Sequence, residues 1–215
     1  VLKVIDEIGL NFYLSGGTAL GRFFLSHRYS DDLDFLTHND ANFIENIQLI
    51  GQHLNANGMI VEPKITDITF SRLWVYEQQA TAKEPLKIDF LDEKDTPRFG
   101  PYIPTPCFSK VDNLRNILSN KLSFISRKSP KDIADIWLIC KSLSFRWDEL
   151  IGEASQKRVI EELQVVQSLK DFNSSELNRV NWIAPIKIED FEKDREKIIA
   201  DIITKSENKL FRSSQ

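Results

Sequence analysis

The chain has 215 residues, 41% hydrophobic and 28% charged, with 28 Lys+Arg against 32 Asp+Glu for a formal net charge of −4. That apolar content in that length buries a real core, in one domain or two small ones, and excludes disorder or a mini-fold dependent on staples. A membrane span needs roughly 18 consecutive apolar residues, and the longest charge-free helical run, 46–61, is diluted by Asn, Gln and His.

In chain order, 12–15 is a short strand that Gly16-Gly17 breaks, and 18–27 reads as a helix with Leu20, Phe23, Phe24 and His27 near helical spacing. A polar turn at 29–31 leads into a strand over 33–36. Asn39 or Asp40 can cap a helix whose apolar positions Phe43, Ile44, Ile47, Ile50 and Leu54 share one face, ending at Asn57-Gly58. Three strands follow, at 59–65, 69–77 and 86–91, separated by polar turns. From Ser109 onward the pattern is helical, roughly 111–127, 130–143, 147–169, 174–183 and 187–211, with Pro130 and Pro185 as breaks. The last helix keeps Ile188, Phe191, Ile198, Ile199, Ile202 and Ile203 for packing and alternates charge sign on its other face. The expected class is α+β: a mixed sheet flanked by helices over 1–108, then a helical domain over 109–215.

The two cysteines, Cys107 and Cys140, are too few for a disulfide framework or a four-ligand zinc site, and Cys140 in the run IWLIC reads as a buried thiol. A soluble protein of the reducing cytoplasm, with no secretory leader and no membrane partner, is the expectation, although the first residue is Val and the start can be trimmed.

The net charge is unevenly spread. Residues 1–109 carry nine basic and fifteen acidic side chains, whereas 110–131 carry six basic and one acidic. A chain at −4 should not coat nucleic acid, but a local excess of five positive charges can hold phosphates.

The chemistry concentrates in FYLSGGTALGRFFLSHRYSDDLDFLTHND. A strand ends at Gly16-Gly17, a helix starts at Thr18, and Asp32 and Asp34 then sit two apart on a strand. Residues i and i+2 share a strand face, so both carboxylates point one way while Leu33 and Phe35 face the core. Such a pair suits a hard cation: Mg2+ typically takes one or two carboxylates plus substrate phosphates. Glycines without a Cβ let the backbone approach a phosphate, which the N–H groups after the turn and the Thr18 hydroxyl can hold. Asp89 projects from the polar face of the strand PLKIDFLDE, where it can complete a metal site or accept a proton from an attacking hydroxyl.

GGT, a spacer, DxD and a later strand Asp resemble the signature of the polymerase-β-like nucleotidyltransferase superfamily. Within it, LSGGTALGRFFLSHRYSDDLDF resembles the AbiEii/AbiGii toxin family of type IV toxin–antitoxin and phage abortive-infection systems. That family's second signature, a Lys, an Arg and an Arg/Lys-Asp-x-x-Asp, matches Lys121, Arg127 and Lys131-Asp132-Ile133-Ala134-Asp135, and the likeness spans about 11–140. Lys131 departs from the more usual Arg, which keeps the charge but loses a bidentate fork.

The resemblance implies a nucleotidyltransferase fold and transfer of a nucleoside monophosphate from an NTP. Asp32, Asp34 and Asp89 would hold Mg2+ (Mn2+ the alternative), with Asp89 otherwise the general base. Gly16, Gly17, Thr18, Lys121 and Arg127 would serve the phosphates, supported by Asp132 and Asp135, in a cleft formed by the two domains. The partners implied are an RNA acceptor, such as a tRNA end, and a separately encoded antitoxin.

Other readings stay open. On a helical wheel Lys121 falls within the apolar stripe Leu114, Ile117, Leu118, Leu122 and Ile125, so it must snorkel or meet an anion, expected to be the triphosphate. Asp135 aligns with Ile136, Ile139 and Leu143, where it could orient Lys121 or Arg127. Asp132 could serve the start of its helix, with Ser129 as cap and Pro130 at the first position, and Arg127 could complement a helix end. His27 and Arg28 read as surface or substrate-facing residues, and Ser15 and Ser30 lack a His base. Transfer to a protein or small molecule, and a nucleotide-binding module without turnover, remain alternatives.

Overall fold

The computed structural model describes residues 1–78 and 84–211. Two compact units emerge. One comprises Val1–Ala19, Ser30–Thr96 and Pro101–Asn113, the other Leu20–Tyr29, Pro97–Gly100 and Leu114–Gln215. The short segment 20–29, sequence-adjacent to the first strand, thus groups with the C-terminal helices.

The first unit is built on a five-stranded mixed sheet. Its strands are β1 (Tyr13–Ser15), β2 (Asp32–Thr37), β3 (Met59–Thr66), β4 (Phe70–Glu77) and β5 (Leu86–Asp92), in the order β1-β2-β5-β4-β3. Only β2 and β5 pair in parallel; the other neighbours are antiparallel. Period-2 alternation divides the faces. Leu33, Phe35, Leu73, Val75, Ile88 and Phe90 turn inward and are buried, together with Phe12, which meets Phe90 edge-on with centroids 5.2 Å apart. Helix α3 (Phe43–Ala56) contributes Phe43, Ile47, Ile50 and Leu54 to the same core, and α1 (Leu2–Glu7), which the sequence pattern did not reveal, contributes Leu2 and Ile5. Asp40 is not the cap of α3: Asn42 occupies that position, and Asp40 accepts the Asn42 backbone N–H at 3.0 Å.

The helix expected over 18–27 is interrupted. Helix α2 (Gly16–Leu20) gives way to a π-helical turn, Gly21–Leu25, that ends at Ser26 with φ +47°. Residues 27–29 then run extended beside 181–183: the Tyr29 N–H donates to the Asn181 carbonyl at 2.9 Å and the Ile183 N–H to that of His27 at 3.0 Å.

The remaining helices of the second unit are α4 (Leu114–Ser123), α5 (Pro130–Ser142), α6 (Trp147–Lys157), α7 (Glu162–Asp171) and α8 (Ile188–Ile203). The single helix expected over 147–169 is two, because the chain leaves the helix at Arg158 (φ −154°) to bury Ile160 while Val159 points to solvent. No Gly or Pro marks that break. Residues 125–127 and 174–179 form 3-10 turns rather than α-helix, and α8 stops at Ile203, whose side chain is exposed and not part of the packing stripe. Cys140 is fully buried, which pushes its thiol pKa up.

Candidate functional site

The sequence-predicted carboxylates meet on the polar face of the sheet in the first unit. In the parallel β2–β5 register Asp34 pairs with Asp89 and Asp32 with Lys87, so Asp32, Asp34, Lys87 and Asp89 form a two-by-two array on one face. The antiparallel β4 adds Arg72 opposite Asp89 and Trp74 opposite Lys87, and β1 brings Ser15 opposite Asp34.

The Gly16-Gly17 turn closes over this array. Gly16 has φ +69°, the left-handed region that favours glycine, and a Cβ built there would run into the Asp34 carboxylate. The turn is therefore a cradle that any side chain would fill. Thr18 does not offer its hydroxyl outward: its Oγ1 donates to the Asp32 carbonyl, locking the turn to β2. Ser15 is also committed, donating to Asp112 Oδ2 at 2.8 Å.

Two cations absent from the sequence-based expectation interleave with the acids. Arg72 donates from Nε and Nη2 to the two oxygens of Asp89, both at 2.7 Å, a bidentate fork. Lys87 Nζ lies 2.6 Å from Asp32 Oδ2 and 3.8 Å from Asp89 Oδ2. The hydrogen bond to Asp89 raises the Arg72 pKa. Burial pulls Lys87 down, but its bond to Asp32 together with the charges of Asp32 and Asp89 holds it above its ordinary value. Alternation already places Lys87 on the face of Asp89, and Arg72 occupies the polar phase of its strand in the same way.

The donor set fits a hard cation. Asp32 and Asp34 offer carboxylate oxygens on one strand face, with the Gly16 turn packed directly on Asp34, and Mg2+ needs only one or two carboxylates from protein. Among the described residues no group of three or more His, Cys, Asp or Glu side chains is arranged to hold a metal. Asp89, the third carboxylate of the array, has both oxygens on Arg72.

The second unit gathers the other motif around a buried acid. Asp135 on α5 is fully inaccessible and accepts from Arg28 twice, Nε to Oδ1 and Nη2 to Oδ2, each at 2.7 Å. His27 Nε2 donates to Oδ1 at 2.7 Å, and Lys121 Nζ sits 2.7 Å from Oδ2 and 2.6 Å from Asp132 Oδ1. His27 and Arg28 are thus not surface residues; their pairing with 181–183 aims both at Asp135. Burial would raise the Asp135 pKa, but the Lys121 charge and the Arg28 and His27 bonds hold it far below the carboxylate range. Burial likewise lowers Lys121, yet Asp135 and Asp132 leave it above its ordinary value.

Lys121 therefore satisfies its place in the apolar stripe with the protein's own anions. Asp132 plays a double part, its N–H reaching the Ser129 cap at 3.4 Å and its carboxylate taking Lys121. Arg127 does not join the cluster; exposed, it lays its guanidinium 4.1 Å over the Phe124 ring. The basic segment 110–131 is largely spoken for internally. Lys110 reaches the Leu10 carbonyl and Asn11, Arg115 reaches Glu149 and Glu153, and Lys128 reaches Asp171.

A family model for the nucleotidyl transferase AbiEii toxin of type IV toxin–antitoxin systems matches residues 4–212. The chain belongs to this family. The match runs through the C-terminal helices, well beyond the 11–140 over which motifs were legible. Among solved structures the fold is similar to JHP933 from Helicobacter pylori, with a TM-score of 0.60 at 18% identity over 95% of this chain and 88% of that one. It is also similar to MenT4, a nucleotidyltransferase toxin from Mycobacterium tuberculosis, with a TM-score of 0.51 at 15% identity over 94% and 80% of the two chains. No curated protein matches the sequence significantly. Membership makes the chain a nucleotidyltransferase of a toxin–antitoxin family, with a nucleotide as substrate and an antitoxin as partner. Among the described residues no helix is long and apolar enough to cross a membrane.

Proposed function

We propose that the protein transfers a nucleoside monophosphate from an NTP to a hydroxyl of an RNA acceptor, in a metal-dependent reaction in the cytoplasm. The observation that carries this reading is the registered array of Asp32, Asp34 and Asp89 under the Gly16 cradle. Asp32 and Asp34 would hold Mg2+, or Mn2+ in its place, and Asp89 could join them only by giving up an oxygen now held by Arg72. Bound there, the metal would supply Lewis-acid neutralisation of the triphosphate.

The chain's own groups do the rest. Backbone N–H groups after Gly16-Gly17 hold a phosphate, because the missing Cβ atoms allow close approach. Asp89 accepts the proton of the acceptor hydroxyl, and Arg72 fixes its orientation. The hydroxyl oxygen bonds to the α-phosphorus as the bond to the bridging oxygen breaks, and pyrophosphate leaves with that electron pair. In the second unit Asp132 and Asp135 keep Lys121 in place. The RNA acceptor rests on the family resemblance, since the basic segment 110–131 is mostly engaged within the protein.

Purified protein incubated with α-labelled NTPs, Mg2+ and RNA should yield labelled RNA. Asp34→Ala should abolish the label, and equal labelling by that variant would overturn the mechanism. The salt-bridged state of Asp89 and Asp32 also favours a second reading, a nucleotide-binding module whose acids are neutralised by protein cations. Tight NTP binding with no product across Mg2+, Mn2+ and other divalent cations would support it.

A further inference from the structure

The polar face of the sheet does not end at the acids. Beyond Arg72 and Lys87, strand β4 presents Trp74 and Tyr76 on the same face, and β3 pairs Glu62 with Trp74. Trp74 is half-buried, whereas its strand neighbours Leu73 and Val75 fill the core on the opposite face. Lys64 Nζ rests 4.4 Å from the Trp74 ring centroid, and Glu62 anchors that lysine at 2.6 Å. The Tyr76 hydroxyl reaches the same Glu62 at 3.4 Å. The result is an aromatic pair with Lys64 seated over the Trp74 ring, where an arriving base would take its place, and with Lys87 and Arg72 on the same face; each cation is held by an acid, Lys64 by Glu62, Lys87 by Asp32 and Arg72 by Asp89. Flat rings with adjacent cations are what sequence-tolerant readers of unpaired nucleic acid use: bases stack on the rings and the cations follow the backbone.

Topology says which strand of the chemistry this serves. In the order β1-β2-β5-β4-β3 the Gly16-Gly17 turn flanks the acids on the β1 side, and Trp74 flanks them on the β4 side. Phosphoryl-type displacement runs in line, with attacking and leaving oxygens on opposite sides of the phosphorus. A triphosphate held at the glycine turn therefore leaves the β4 side to the attacking hydroxyl. Asp89, facing Arg72 on β4, is the acid on that side. Neighbouring strands lie roughly 5 Å apart, so Trp74 stands about two strand spacings from Asp32, within reach of a base next to the reacting end.

We propose that Trp74, with Tyr76 and Lys64, is a stacking platform for an unpaired base of the RNA acceptor, and that it sets acceptor affinity rather than donor affinity. This rests on the transfer reading above for its direction, but the binding it predicts does not. Two measurements separate them. The first is fluorescence anisotropy of a labelled single-stranded RNA oligonucleotide without NTP, on wild type, Trp74→Leu and Trp74→Phe. The second is the KM for RNA and for NTP in the transfer assay. Trp74→Leu keeps apolar volume but removes the ring face, and unchanged circular dichroism and melting would show that it folds.

The expected result is oligonucleotide binding weakened about tenfold or more by Trp74→Leu, restored by Trp74→Phe, with the RNA KM raised in proportion and the NTP KM unchanged. Unchanged oligonucleotide binding and RNA KM would overturn the proposal, as would a wild type that binds no oligonucleotide and modifies a protein instead. A rise in the NTP KM alone would assign the ring to the donor base and overturn the acceptor role. Oligonucleotide binding that depends on Trp74 in a protein that transfers nothing would defeat the transfer reading while supporting the platform.

Discussion

Asp135→Asn separates the structural from the chemical carboxylates. Asp135 is fully buried and is met by Arg28 through two bonds, by His27 and by Lys121, all at 2.7 Å. Asparagine has the same shape but turns an NH2 toward one of these donors and removes the negative charge that faces Arg28, His27 and Lys121. Removing one partner of a buried ionic cluster costs about 3–5 kcal/mol. In a chain of this size each kcal/mol moves the midpoint by roughly 2–4 °C, so the thermal unfolding midpoint followed by circular dichroism should fall by about 6–20 °C. Asp89→Asn is the contrast: its Arg72 partner is about one-third exposed, so the loss should be about 1 kcal/mol or less. Asp135 titrates below its unfolded value, so its stabilisation is present above the unfolded pKa of about 3.9 and is lost as pH falls through the lower folded value. Lys121, raised in the fold, loses its contribution only above its ordinary alkaline range. The gap between wild type and Asp135→Asn should thus narrow below about pH 4. A midpoint within about 2 °C of wild type at neutral pH would refute the view that Asp135 organises these cations.

Gly16→Ala forces a Cβ into the Asp34 carboxylate at φ +69°, which costs about 1–2 kcal/mol in backbone strain alone. Melting should drop by several degrees, and transfer should be lost; a fully active variant would mean that the turn does not pack on Asp34. Arg72→Lys keeps the charge but not the fork on Asp89, so stability should change by less than about 1 kcal/mol while transfer falls about tenfold or more. Wild-type turnover would remove Arg72 from the mechanism. Ser129→Ala removes the cap oxygen of α5, worth about 1 kcal/mol, and should lower the midpoint by a few degrees without changing nucleotide affinity.

The sheet and its acids were legible because both depend on short-range pattern. Two-residue spacing put Asp32 and Asp34 on one face, and alternation in LKIDFLD put Asp89 on its polar side, so only register remained for the structure to supply. Arg28 was not legible. Its carboxylate partner is 107 residues away, and the left-handed residue that ends the π-helical turn and aims it is Ser26, not the glycine that would have marked it. Lys121 was readable as a lysine needing an anion, but whether that anion is a ligand or an aspartate is a tertiary fact. Net charge over 110–131 counts cations without counting the acceptors that fold against them. The break at 158–161 was invisible because burial of Ile160, rather than a helix-breaking residue, imposes it.

The central claim is that the Asp32–Asp34–Asp89 array moves a nucleoside monophosphate. Wild type and Asp34→Ala would each be incubated with RNA and the four NTPs, with Mg2+ or with EDTA, measuring RNA mass and released pyrophosphate together. The account predicts RNA heavier by whole nucleoside monophosphates, one pyrophosphate released per unit added, and neither in Asp34→Ala or EDTA. RNA of unchanged mass with no pyrophosphate, or mass gain that persists in Asp34→Ala, would contradict it.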